Sequence, residues 1–126
     1  MNKKFKKLST LMMGVIVSTS IMTTNASAAK VYLSTSETSD ESSSVGLSKS
    51  VTVSGKNEGS SKYSVYFITK YAEPGKSWKT KAEPLVSIGT SLSSRTYSVS
   101  TSSSWKLELN PKGWGTKNCT ANGEIK

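Results

Sequence analysis

Apolar and polar side chains alternate with a period of two through most of this chain. Val45, Leu47, Val51 and Val53 share one phase, and Ser44, Gly46, Ser48, Ser50 and Ser54 take the other. Such alternation sends successive side chains to opposite faces of a strand. Lys49 breaks the phase and marks a bulge or a strand end. The strongest run covers residues 63–71, where Tyr63, Val65, Phe67 and Tyr71 point one way and Tyr66 and Ile68 the other, with Ser64 and Lys70. Apolar groups on both faces predict a central strand.

Turn chemistry separates the runs. Glu73-Pro74-Gly75-Lys76 predicts a type II turn, because Pro presets the first central dihedral and Gly accepts the positive second one. Trp78, Thr80 and Ala82 then alternate with Lys79 and Lys81, and Pro84 places this segment at a sheet edge. Three more alternating runs follow: Val86, Ile88 and Leu92; Tyr97 and Val99; and Trp105, Leu107 and Leu109, the clearest of the three. Asn110-Pro111-Lys112-Gly113 has type I preferences, after which Ala121, Gly123 and Ile125 share a phase with Cys119 in a closing strand.

Residues 31–33 read as a short first strand, and residues 34–44 contain no apolar side chain. That stretch is expected to be an exposed loop or flexible arm, with the ordered domain beginning at residue 45. No sustained helical periodicity occurs after residue 29. The expectation is therefore all-β: one small antiparallel β-sandwich, or an open barrel, with about six to eight short strands after the first 28 residues and its single domain over residues 45–126.

The first residues follow a different pattern. Lys3, Lys4, Lys6 and Lys7 form a charged head, residues 8–22 are mostly apolar, and Ala26-Ser27-Ala28-Ala29 ends the segment. That order is a secretory signal peptide over residues 1–28, with cleavage after Ala28 favoured and after Ala29 the alternative. The apolar run is short and thinned by Ser and Thr, which argues against a membrane span. In its Lys-rich head and Ala-Ser-Ala-Ala end, the segment resembles the signals of small secreted proteins from Gram-positive bacteria. The resemblance implies a secreted, extracellular protein, free or associated with the cell wall.

Export changes the meaning of the charge. The whole chain carries 17 basic and 8 acidic residues, a net +9. Four of those lysines lie in the signal, so the remainder carries +5. A basic secreted domain attracts anionic wall polymers and lipid headgroups. Cys119 is alone, which rules out an intramolecular disulfide, and reads as a small buried hydrophobe.

The chain has no His and one Cys, so triad hydrolysis, thiol catalysis with a His base and a zinc site all lack their parts. The acidic residues 37–41 lack the register of a calcium loop, and neither a metal nor a cofactor is expected. One internal similarity remains. Lys76-Ser77-Trp78-Lys79-Thr80-Lys81 and Lys112-Gly113-Trp114-Gly115-Thr116-Lys117 agree as Lys-x-Trp-x-Thr-Lys, each just after a Pro-containing turn.

An indole offers stacking area while neighbouring ammonium groups attract phosphate or carboxylate. Lys76, Trp78, Lys79, Lys81, Lys112, Trp114 and Lys117 are therefore the candidate binding residues. The competing expectation is that both indoles cap the ends of the core. Three functions follow in order. The first is a non-enzymatic module holding an anionic cell-wall polymer, a glycan or a membrane surface, with a protein partner as a further option and nucleic acid ranking below these. The second is a bacteriocin-like antagonist of membranes. The third is an inhibitor of an extracellular enzyme, presenting residues 82–85.

Overall fold

A computed structural model describes residues 28–126. The export signal, apart from Ala28, lies outside the described residues. The described chain forms eight strands, all paired antiparallel: β1 Ala29–Leu33, β2 Asp40–Glu41, β3 Val45–Asn57, β4 Val65–Ala72, β5 Lys79–Ala82, β6 Leu85–Val86, β7 Ser91–Pro111 and β8 Ala121–Ile125. They make one unclosed sheet in the order β1-β8-β3-β7-β4-β5, with β2 joined to β7 and β6 to β4. The all-β, open antiparallel architecture expected from the alternation is the one observed.

Two long strands let a single sheet cover both sides of a core. β7 pairs with β3 from Ser91 to Trp105 and with β4 from Ser104 to Pro111, so it passes from one half of the sheet into the other. Between the pairs Ser48–Ser103 and Ser50–Ser98, five steps of β7 oppose two of β3. Extra residues on one strand bend and twist it. The bulge near Lys49 foreseen from the broken phase is thus present, larger than expected and carried on both strands.

The two halves meet through side chains of opposite origin. Ala29, Val31, Leu33, Val51, Val53, Ala121 and Ile125 come from one, and Val65, Phe67, Leu107 and Leu109 from the other, and all are buried. Gly55 and Gly123 pair across β3 and β8, directly beneath the Phe67 ring. A Cβ on Gly55 would stand 2.6 Å from Phe67 Cε2, and one on Gly123 would stand 2.7 Å from Leu107 Cδ2. The glycine pair therefore makes the room that the aromatic ring fills.

Trp105 closes the core toward the β4–β5 turn. Its ring lies 5.6 Å from that of Tyr71, and its Nε1 donates to the Ser48 carbonyl at 2.8 Å. The indole is thereby buried with its polar atom satisfied.

Several local expectations are corrected. The ordered domain begins at Ala29, not residue 45, because β1 pairs with β8 along its whole length and contributes three buried side chains. Residues 34–44 are largely exposed, as their polarity requires, yet they are tied down rather than free. Asp40 and Glu41 pair with Leu109 and Glu108, Ser42 N donates to the Leu107 carbonyl at 2.8 Å, and the Ser42 hydroxyl accepts from Leu107 N at 3.0 Å. A polar segment with no core side chains is held here by backbone pairing. Leu47 and Ile88, in phase with buried neighbours in the sequence, are exposed; the first follows a register shift and the second sits in the turn closed by Thr90 N and Ser87 O.

The runs at residues 97–99 and 105–109 belong to one strand, β7, rather than to two short ones. Nor does a turn form at residues 110–113, since Asn110 and Pro111 pair with Tyr66 and Val65. Lys112 N donates to the Ser64 carbonyl, so alternation points the Pro111 nitrogen at the opposite edge, past the last pair of β2. No donor is needed there, and the strand tolerates the proline. The type II turn at Glu73-Pro74-Gly75-Lys76 forms as expected, with Gly75 at φ 75° and Lys76 N donating to Glu73 O at 2.9 Å.

Candidate functional site

β7 ends at Pro111, and the chain needs a return path to β8. Gly113, Gly115 and Asn118 take it through positive φ values of 107°, 67° and 73°, a region that Gly enters freely and Asn more readily than most residues. The loop is fixed at its roots. Lys112 N bonds Ser64 O at 2.8 Å, Asn118 N bonds Thr35 O at 3.0 Å, and Asn118 O accepts from Lys62 N at 3.0 Å. Beneath it Cys119 is buried, as its lone occurrence suggested, with Sγ 3.4 Å from the Tyr63 carbonyl. Trp114 stands on this base with 92% of its surface exposed.

Two further loops are clamped beside it. Asn57 is buried, and its side-chain amide donates to the carbonyls of Tyr63 and Val86, at 3.0 Å each, while its backbone N donates to Thr90 O. Asn57 thus draws residues 58–64, which also bond the loop carrying Trp114 through Lys62 N, together with the turn at residues 87–90. The same end of the molecule exposes Tyr63, Leu85 and Ile88, each between 42% and 45% accessible, together with Lys62, Lys112 and Lys117. Acidic groups here are already engaged. Glu58 accepts from Asn122 Nδ2 at 3.0 Å and pairs with Lys56, and Glu37 accepts from Ser34 N at 2.8 Å.

The other copy of the Lys-x-Trp-x-Thr-Lys pattern lies elsewhere. Trp78 follows the β4–β5 turn, where Lys79 pairs with Tyr71, while Lys112 lies beside Ser64. Those points are the two ends of β4, whose seven steps at about 3.3 Å put roughly 23 Å between them. The structure therefore groups Lys112, Trp114 and Lys117 with Lys62 and Tyr63, and leaves Lys76, Trp78, Lys79 and Lys81 at the opposite end.

Trp78, 39% exposed, is also differently employed. Lys106 Nζ sits 4.4 Å over its ring. The same ammonium bonds Glu41 at 3.1 Å, and Lys70 bridges Glu41 at 2.8 Å and Glu108 at 2.6 Å. The hydrogen bond from Lys70, helped by Lys106, holds the Glu41 carboxyl below the ordinary glutamate value. Burial works against the Lys70 ammonium, but its bonds to Glu108 and Glu41 outweigh that and raise its pKa. These charges answer one another across β2, β7 and β4, and Trp78 covers the margin of a closed ionic face. Neither indole caps the core; Trp105 does that at one end.

Lys62, Tyr63, Leu85 and Ile88 were not foreseen as site residues. The adjacent Lys62-Tyr63 pair repeats the basic-aromatic theme and was available as a signal; Ile88 read only as a core position, and Leu85 entered only as the end of the loop suggested for an inhibitor. Residues 82–85, the stretch suggested for an inhibitory loop, are tied to β4, since Pro84 O accepts from Phe67 N at 2.9 Å, and Leu85 among them stays exposed. Among the described residues no cavity opens and no three metal-ligating side chains converge. Comparison with known protein families, curated proteins and solved structures finds no match to this chain.

Proposed function

We propose that this chain is an exported, non-enzymatic binding module that holds an anionic or glycan-bearing surface of the cell envelope through its Trp114 end. Trp114 carries the reading. A Trp side chain buries about 150–250 Å² when it packs, so leaving it in water forgoes roughly 4–6 kcal/mol of apolar burial at about 25 cal/mol per Å². The loop that exposes it is braced by backbone hydrogen bonds at both roots, so exposure here is built rather than incidental. Lys62, Lys112 and Lys117, which have no carboxylate partner among the described residues, lie on its loop or the adjoining one and supply attraction for phosphate or carboxylate. The export part of the proposal is supported by the fold's first strand starting at Ala29, one residue past the favoured cleavage point.

Retention on isolated envelopes is the test. Binding should fall steeply between low and high salt, because exposed charges are screened over about 8 Å at physiological ionic strength. Trp114→Ala should weaken retention about tenfold or more while leaving the melting temperature within about 1 °C, since the side chain touches little. Retention that is indifferent to both salt and Trp114 would sink the proposal.

A further inference from the structure

The composition of the Trp114 end narrows its partner, an inference that rests on the reading of that end as a binding surface. We infer that it docks on an anionic lipid bilayer, with Trp114 entering the interface between headgroups and acyl chains. A polymer of sugars and phosphates is served by lysines and an aromatic ring alone. It gives no use to Leu85 and Ile88, two aliphatic side chains exposed at the same end. A bilayer uses both classes, because apolar tips reach the acyl boundary while the ammonium groups stay at headgroup level.

Layout agrees with this chemistry. Trp114 is the most exposed large apolar side chain among the described residues, and Tyr63, on the loop clamped by Asn57, is exposed at the same end. Lys62, Lys112 and Lys117 belong to the same loops and are exposed. No cavity opens there to receive a single headgroup. An exposed indole on loops that also carry three exposed lysines fits a planar anionic surface, and aromatic side chains such as Trp and Tyr favour that interface. Each lysine near such a surface strengthens binding by about fivefold.

The experiment uses protein beginning at Ala29, which contains every strand of the fold, with vesicles of phosphatidylglycerol and phosphatidylcholine and, in parallel, lipid-free cell-wall sacculi. Binding to the anionic vesicles is expected, with a blue shift of indole emission. In a Trp78→Phe background that shift should persist, and Trp114→Ala should abolish it with about a tenfold loss of partitioning. Lys112→Ala with Lys117→Ala should lower partitioning about twenty-fivefold, and the far-end pair Lys79→Ala with Lys81→Ala by much less. Binding to sacculi without binding to vesicles would overturn the lipid assignment and leave the proposed function standing. Binding to neither would overturn both.

Discussion

The glycine pair and the two contrasting tryptophans show how single residues set the behaviour of this fold. Gly55 has no room for a methyl group, which would collide with the Asn122 carbonyl oxygen and Phe67. Both obstacles are held, one in the β8 backbone and the other in the core. Gly55→Ala should therefore destabilise the domain by about 2 kcal/mol, lowering the melting temperature by about 10 °C for a chain of this size; thermal unfolding followed by circular dichroism measures it. A change under about 2 °C would show that the two halves of the sheet can separate to admit the methyl. Trp105 was legible as an inward-facing residue because Leu107 and Leu109 share its phase. Trp114 was legible as a loop residue but not as an exposed one, since flanking glycines allow an indole to insert as readily as to project. What decides is the bracing of the loop by Ser64, Thr35 and Lys62, contacts from distant parts of the chain that no local pattern records.

At the scale of elements, β2 is the unexpected part. Two residues fasten an otherwise polar connection across β7, and Glu41 supplies the ionic half of that fastening through Lys70 and Lys106. Its carboxyl is held below the ordinary value of 4.5. The stability it contributes is therefore complete above that value and lost as pH falls through the lower folded-state pKa. Lys70 is raised above 10.5, so its contribution is complete below that value and lost as pH rises through the higher one. Stability should decline at both limits. Glu41→Gln should flatten the acid limb while costing about 1 kcal/mol or less at neutral pH, the scale of partly exposed pairs; urea unfolding across pH measures both. Strand existence was readable from alternation nearly everywhere. Residues 40–41 were not, because their pairing uses backbone groups and surface charges rather than buried side chains. Strand length was misread for a related reason: the bulge shifts the phase of β7 while its ladder continues on either side.

For the whole molecule, the sheet separates a closed ionic region from an open, basic and apolar end. Sequence similarity joined Trp78 to Trp114, but topology parts them by the length of β4, so the seven candidate residues do not share one surface, and the sequence pattern carries no record of that separation. The same topology bears on maturation. Ala29 is buried and pairs with Ile125, so cleavage after Ala28 preserves the first rung of β1 and cleavage after Ala29 removes it. The export proposed above therefore predicts an intact mass with Ala29 as the first residue; Lys30 would contradict this. Beyond processing, the pairing Ala29–Ile125 puts the start of β1 beside the end of β8, and Lys126 pairs with Thr52, whereas the rungs at Leu33, Asn57 and Ala121 lie toward Trp114. A reporter fused behind Lys126 would accordingly hang clear of the Trp114 loop, and a domain seated by Trp114 as proposed would hold such cargo outward, as a ready-made display scaffold.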